Sequence, residues 1–227
     1  MNKPQPIILA GGLGTRLRDV VKDKPKVLAS VNNKPFITYL LDKLIFAGFD
    51  SVFISTGYKG NMISEMIGSR YKTLEVYYSN EESPLGTGGA VKRASKLIDK
   101  DKILVLNGDT YISPNINKLI DKIDQNTEAV VTTRVKQNTR YNSISIDHNN
   151  HIISFNKETS KKSCIINSGL YLLCRKSILE YSFDKFSLED DYIPYRLIKN
   201  KILSISFTGT FIDIGIPSDY FKAQNLL

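Results

Sequence analysis

Short apolar runs alternate with segments of helical periodicity along the first half of this chain. "PIILA" (6–10) reads as a buried strand. Pro35 opens "PFITYLLDKLIFAG", where Phe36, Leu40, Leu41 and Leu44 recur at helical spacing and Gly48 supplies a stop. "SVFIST" (51–56) predicts the next strand, "GNMISEMIGSRY" a helix, "LEVYYS" (74–79) a strand, "GTGGAVKRASKLI" a helix and "KILVLNGD" (102–109) a strand. Strands separated by helices of this length form a parallel, helix-covered sheet.

Past Asp109 the pattern changes. "EAVVTTRV", "NSISID" and "HIISFN" read as strands, the last two joined by "HNN" as a turn, and "CIINSGLYLLC" as a further apolar strand. A helix around "LEDDYIPYRLIKN", two short strands and a terminal helix from about Pro217 complete the chain. No repeat, low-complexity segment or Pro/Gly/Ser linker interrupts it. The pattern predicts one α/β domain over residues 1–227 with a mixed sheet.

Of the 227 residues, 41% are hydrophobic and 24% charged, enough for a substantial core. A formal charge of +8 raises nucleic acid or an anionic membrane as partners, yet the 31 Lys and Arg are spread along the chain and form no basic arm. That balance argues against both and fits a phosphorylated small molecule. No apolar run approaches the roughly 18 residues of a membrane span, and the amino terminus lacks the order of a signal peptide, so the expected location is the cytoplasm. Cys164 and Cys174 lie in a strand-like segment without CxxC spacing or paired His, as reduced structural thiols do.

In open α/β sheets ligands gather beyond the carboxyl ends of the strands. The first such loop is "AGGLGTRL". A dinucleotide fingerprint needs a glycine three residues after Gly14, where Leu17 stands; a P-loop needs Lys and then Ser or Thr after its second glycine, where Thr15 and Arg16 stand. Two readings remain open. One is a backbone cradle for phosphate oxygens, with Arg16 as a fork-shaped cation and Lys26 as a point charge; the other is a tight turn with surface cations. "EESPLGTGGAV" (81–91) is a second glycine-rich loop expected on the same rim, and "LNGDTYI" (106–112) ends a strand with Asp109, a residue that equally suits a cap. "FIDIGIPSDY" sets Asp213 among apolar neighbours, where an unpaired charge is costly. Two hard oxygen ligands together with substrate phosphates suit Mg²⁺.

"LAGGLGTRL", "KPKVL", "PLGTGGAV", "NGDT", "NSGLYLL" and "FIDIGIPSDY", in this order and spacing, resemble the sugar-1-phosphate nucleotidyltransferases from Pro6 to about Tyr220. The layout is most similar to that of the bacterial D-glycero-α-D-manno-heptose 1-phosphate guanylyltransferases. The resemblance implies a single-domain Rossmann-like fold, a mixed and mainly parallel sheet with helices on both faces, residues 1–110 binding the nucleotide and 111–227 the sugar phosphate. It implies a Mg²⁺-dependent transfer joining GTP and a heptose 1-phosphate into GDP-heptose and pyrophosphate, a step of nucleotide-sugar biosynthesis. Leu9, Gly11, Gly12, Gly14, Thr15, Gly86 and Thr87 then meet the nucleotide, with Arg16 and Lys26 neutralising the triphosphate as pyrophosphate leaves. Gly88, Lys157, Asn167 and Gly169 meet the sugar phosphate, and Asp109 and Asp213 match the metal-binding aspartates. Two positions depart from the family pattern: Val27 replaces a second proline, and Asn156 replaces the Glu of a Glu-Lys pair whose Lys is Lys157.

The implied chemistry needs no catalytic base, because a sugar 1-phosphate is already mostly dianionic at pH 7, its second pKa being about 6. The absence of a Ser-His-Asp or Cys-His set is therefore no obstacle, and His148 and His151 read as solvated hairpin residues. "LEDDYIPYRL" reads as a solvated helix start, with Glu189 able to reach a sugar pocket. Two other readings stand beside the main one: uridylyl, cytidylyl or thymidylyl transfer to a hexose or amino-sugar 1-phosphate, and a catalytically silent nucleotide-sugar sensor.

Overall fold

Ile7 and Ile8, neighbours in the first strand, are both fully buried, yet they belong to two different apolar clusters. Successive side chains of a strand point to opposite faces, so both faces of this sheet are covered. In the computed structural model, which describes residues 3–17, 20–124, 127–136, 140–156, 163–199 and 202–227, that sheet has ten strands. They are β1 (Gln5–Ala10), β2 (Ser51–Thr56), β3 (Arg70–Tyr71), β4 (Leu74–Asn80), β5 (Lys102–Asn107), β6 (Glu128–Val135), β7 (Ser143–Ile146), β8 (Ile152–Asn156), β9 (Cys164–Cys174) and β10 (Ile202–Phe207). Their order is β8-β7-β9-β5-β1-β2-β4-β3, with β6 paired to β9 and β10 paired to β6.

The parallel centre is β5-β1-β2-β4, as the alternation of strand and helix predicts. Helices α1 (Phe36–Phe46) and α2 (Gly60–Ile67) pack on the face of Ile8, and α3 (Gly86–Ser95) packs on the face of Ile7 through Val91 and Ala94. The long strand β9 is antiparallel to both β5 and β6 and makes the sheet mixed. Its pairing with β6 slips between Asn167 and Leu170, a bulge where the Ser168 hydroxyl donates to the Val131 carbonyl at 2.8 Å. The Asp147–Asn150 turn joins β7 and β8 as expected. Asp147 Oδ1 accepts the N–H groups of Asn149 and His151 there, which leaves His148 exposed. Both cysteines are free.

Three readings of the pattern change. The helix predicted through "GNMISEMIGSRY" stops at Ile67, because Gly68 turns to positive φ and Arg70–Tyr71 becomes an edge strand antiparallel to β4. "LEDDYIPYRLIKN" starts with a wide turn, Leu188–Tyr192, in which the Tyr192 N–H donates to the Ser187 carbonyl five residues back; the α-helix Ile193–Lys199 follows. Pro194 offers no N–H to continue a regular ladder into that turn. Residues past Asp109, read only as the end of a strand, form a further short strand, Thr110–Ile112, away from the large sheet.

One buried charge sits under the fold. Glu128 at the start of β6 has 2% side-chain exposure and accepts from Arg196 Nε at 2.7 Å, the Tyr192 hydroxyl at 3.0 Å and the Cys174 N–H at 3.1 Å. Removing the cation alone strands a buried carboxylate, so Arg196→Leu is expected to cost about 3–5 kcal/mol of unfolding free energy. The double variant Glu128→Leu/Arg196→Leu is expected to cost less than Arg196→Leu alone, read by urea midpoints of both proteins.

Candidate active site

Asp109 and Asp213 are brought together by a two-stranded ribbon. After β5 the Gly108 N–H donates to the Leu9 carbonyl at 2.9 Å, and the chain leaves the large sheet. Thr110–Ile112 then pairs antiparallel with Phe211–Asp213, setting Asp213 opposite Thr110, and the Ile214 N–H donates to the Asp109 carbonyl at 3.0 Å. Ile112 and Ile212 anchor the ribbon in the core. Burial first, and then the charge of Asp109, raise the Asp213 carboxyl above the ordinary carboxylate range, while Arg140 and the Gly215 N–H pull it back. Each carboxylate has a cation: Lys26 pairs with Asp109 Oδ2, and Arg140 pairs with Asp213 Oδ2.

Two cavities flank this pair. The first, of about 320 Å³, lies over the carboxyl ends of β1 and β5, with Gly11, Gly12, Lys26, Glu81, Thr87 and Asp109 on its wall. Its floor is apolar, from Leu9, Ala10 and Ala90, and its rim polar, as suits a flat base with a charged tail. Glu81 is held in place: Oε2 accepts the Leu85 N–H at 2.9 Å and Oε1 faces the Ser55 hydroxyl at 3.4 Å.

The second cavity, of about 330 Å³, is walled by Arg16, Arg140, Asn167, Gly169, Glu189 and Asp213, and Asn107 borders both cavities. A chain of hydrogen bonds ties the two together. Thr87 Oγ1 donates to Glu189 Oε2 at 2.9 Å and accepts the Leu188 N–H at 2.8 Å; Tyr171 donates its hydroxyl proton to Glu189 Oε1; Asn167 Nδ2 donates to the Tyr171 hydroxyl at 2.6 Å; and the Gly169 N–H donates to Asn167 Oδ1 at 2.9 Å. Burial and then the Glu189 charge push the Tyr171 hydroxyl far up, so it stays protonated and keeps donating. Gly169 has φ +75°, and a Cβ there would meet the Asn107 amide at 2.9 Å, so the bulge in β9 serves to seat Asn107. The buried Asn107 Oδ1 has no hydrogen-bond partner among the described residues.

Residues 5–227 match the family model described as nucleotidyl transferase. The chain belongs to the nucleotidyl transferase family. It is 37% identical over 227 residues to a D-glycero-α-D-manno-heptose 1-phosphate guanylyltransferase of Aneurinibacillus thermoaerophilus, covering 98% of each chain. It is 36% identical over 218 residues to the protein of that name from Campylobacter jejuni, covering 96% of this chain and 97% of that one. Among solved structures it is similar to HddC from Yersinia pseudotuberculosis complexed with GMP-PN, with a TM-score of 0.88, 37% identity, and 98% and 99% of the two chains covered.

In this nucleotidyl transferase the residues singled out by sequence are distributed unevenly. Leu9, Gly11, Gly12, Lys26, Gly86, Thr87 and Asp109 line the first cavity; Arg16, Asn167, Gly169 and Asp213 line the second. Gly14 lies behind Lys26, in a narrow cleft beside the first cavity, and Thr15 begins the exposed turn that carries Arg16. Gly88 lines neither cavity: its N–H donates to the Phe186 carbonyl at 2.9 Å, and a Cβ would lie 2.1 Å from the Phe186 ring. Lys157 falls outside the described residues. Glu81 and Asn107 escaped sequence reasoning because each stands within five residues of the glycines or the aspartate that drew the attention, and Arg140 because it lies in none of the motifs.

Gly88→Ala tests the packing under the second glycine loop. The Phe186 ring is itself hemmed in by Tyr181 at 4.5 Å, so the added methyl has no room, and overpacking of this kind costs about 1–3 kcal/mol. The expected outcome is a lowered melting temperature together with a raised KM for the nucleotide, because Thr87 rides on the same turn; an unchanged melting temperature would contradict it.

Proposed function

We propose that this chain transfers a guanylyl group from GTP to D-glycero-α-D-manno-heptose 1-phosphate and releases pyrophosphate. The observation that carries the reading is the pair of adjoining cavities, one apolar-floored and one polar, that meet at Asn107 beside the Asp109–Asp213 pair. Two relatives named for this activity match over nearly their whole length, which supports the choice of nucleotide and sugar. All residues lining the first cavity fall between Leu9 and Asp109, which fits a nucleotide-binding half over 1–110 and a sugar-phosphate half over 111–227.

In this reading the backbone of Gly11 and Gly12 approaches the triphosphate, with Gly14 and Thr15 continuing the loop. Lys26 meets the charge that develops on departing pyrophosphate. Glu81 offers carboxylate oxygens to the adjacent N–H donors of guanine, which a pyrimidine cannot present in the same way. Asn167, the Glu189 carboxylate and Lys157 receive the sugar phosphate, and Arg16, expected on the triphosphate, stands on the wall of this second cavity, where its cation serves the acceptor phosphate. The acceptor phosphate attacks as it stands, so these residues hold two polyanions in line and cancel their repulsion rather than move a proton.

Asp109 and Asp213 fit a divalent ion: the carboxylate of the turn after β5 lies close enough to that of the Phe211–Asp213 strand to raise its pKa, as hard oxygen ligands of a shared cation do. Mg²⁺ bound there supplies positive charge to the triphosphate oxygens. No described helix is long and apolar enough to cross a membrane, which fits a cytoplasmic enzyme.

Initial rates of pyrophosphate release with GTP, UTP, CTP and dTTP, each against a panel of sugar 1-phosphates, test the assignment. GTP is expected to lead by at least about 10²-fold in kcat/KM. A pyrimidine preference moves the chain to the neighbouring uridylyl, cytidylyl or thymidylyl activities, and no turnover with any pair favours a nucleotide-sugar sensor. Lys26→Ala is expected to lower kcat by about 10²–10³-fold with the fold intact, since its charge acts mainly in the transition state. For Asp109→Asn and Asp213→Asn, a shared ion predicts raised Mg²⁺ requirements in both and a double variant that loses much less than the two single losses combined. Additive losses at an unchanged Mg²⁺ requirement would reassign both aspartates to the scaffold.

A further inference from the structure

Arg140 stands where the carboxylate pair meets the second cavity. Its Nη1 lies 2.5 Å from Asp219 Oδ2, and its Nη2 pairs with Asp213 Oδ2. The guanidinium is stacked over the Tyr141 ring at 4.7 Å, and Tyr141 packs edge-on against Phe211, a residue of the same ribbon that carries Asp213. Only 16% of the Arg140 side chain is exposed, and that side chain shares the cavity wall with Arg16, Asn167 and Glu189.

The oxygens of Asp213 are already assigned. Oδ1 accepts the Gly215 N–H at 2.7 Å, Oδ2 is the oxygen held by Arg140, and the Tyr141 hydroxyl hydrogen-bonds the same carboxylate. A divalent ion that takes Asp213 as a ligand therefore competes with the guanidinium for Oδ2. Once displaced, the guanidinium does not escape to water easily, because Asp219 and the Tyr141 ring keep their hold on it. Asp219 is shared with Lys222 at 3.0 Å, so part of its charge is already met and the guanidinium keeps donors to spare. The anion next in reach on that wall is whatever fills the second cavity, and a planar fork of N–H donors suits a phosphate.

Resting on the reading of Asp109 and Asp213 as metal ligands, we propose that Arg140 is a place-holding cation that yields Asp213 to the divalent ion and turns to the phosphate of the sugar phosphate. Metal binding then arms the acceptor site. Coupling of this kind is reciprocal: the ion tightens sugar-phosphate binding by the same factor as the sugar phosphate tightens the ion.

The experiment measures Mn²⁺ binding by electron paramagnetic resonance, with and without saturating D-glycero-α-D-manno-heptose 1-phosphate, in the wild type, Asp213→Asn, Arg140→Gln and Arg140→Lys. In the wild type the sugar phosphate is expected to tighten Mn²⁺ by about fivefold or more. Arg140→Gln removes the competitor, so Mn²⁺ without sugar phosphate binds tighter than in the wild type, the coupling collapses toward onefold, and KM for the sugar phosphate rises about tenfold with a smaller change in kcat. Arg140→Lys keeps a competing charge but loses the fork, so its Mn²⁺ affinity stays near wild type while KM still rises; it also serves if Arg140→Gln does not fold. Weaker Mn²⁺ binding in Arg140→Gln, or coupling that survives in both Arg140 variants, overturns the proposal and leaves Arg140 a structural clamp. Wild-type Mn²⁺ binding by Asp213→Asn overturns the metal reading itself, and this inference with it.

Discussion

Two carboxylates side by side in a half-buried setting repel one another, and the site is organised around holding Asp109 and Asp213 together against that repulsion. Burial and the neighbouring charge lift the Asp213 carboxyl, so its charged form needs help. The help comes from two distant stretches of the chain. Lys26, from the loop after β1, pairs with Asp109, and Arg140, three residues before β7, pairs with Asp213. The antiparallel register of Thr110–Ile112 with Phe211–Asp213, clamped by buried Ile112 and Ile212, sets Asp213 opposite Thr110, the residue next to Asp109 in the chain. A substrate carrying several phosphates and a hard cation meets a site whose positive and negative groups are both already in position, which is what charge preorganisation requires.

The same logic extends to the link between the cavities. Thr87 belongs to the first turn of α3 on the nucleotide side, yet its hydroxyl bonds Glu189 on the sugar side, and Glu189 is held in turn by Tyr171 and, through it, Asn167. A shift in the glycine loop is therefore felt at the groups that face the acceptor. The close packing of Gly88 on Phe186 belongs to this link as well, because it fixes the turn on which Thr87 is carried. The glycines of "PLGTGGAV" thus divide their work: Gly86 lines a cavity, and Gly88 lets an aromatic ring support the loop from behind.

Much of this was legible in the sequence. Apolar periodicity marked β1, β2, β4, β5 and β9 and the helices α1 and α3, because burial on one or both faces leaves a local repeat that any chain of this class must carry. The glycines and cations of the first loop, the aspartates and the ordered motifs pointed to the family and to most of the residues that line the cavities. The reaction implied by the resemblance needs no acid–base or thiol machinery, since it asks only for alignment and charge.

Tertiary structure alone decided the rest, and the reason is that the deciding contacts join residues far apart along the chain. No local pattern announces that Thr110 will leave the main sheet to pair with Asp213, that Arg140 will hold Asp213, or that Asn107 will be seated by a bulge more than fifty residues later. Glu189 sits in what reads as an ordinary acidic helix start; only the wide turn before Pro194 and the buried Tyr171 turn it toward the cavity. Gly88 reads like its neighbours in the loop, and its separation from the cavities depends on a Phe186 ring almost a hundred residues away. Sequence determines which groups exist and which faces they occupy locally; long-range packing selects which of those groups share a point in space.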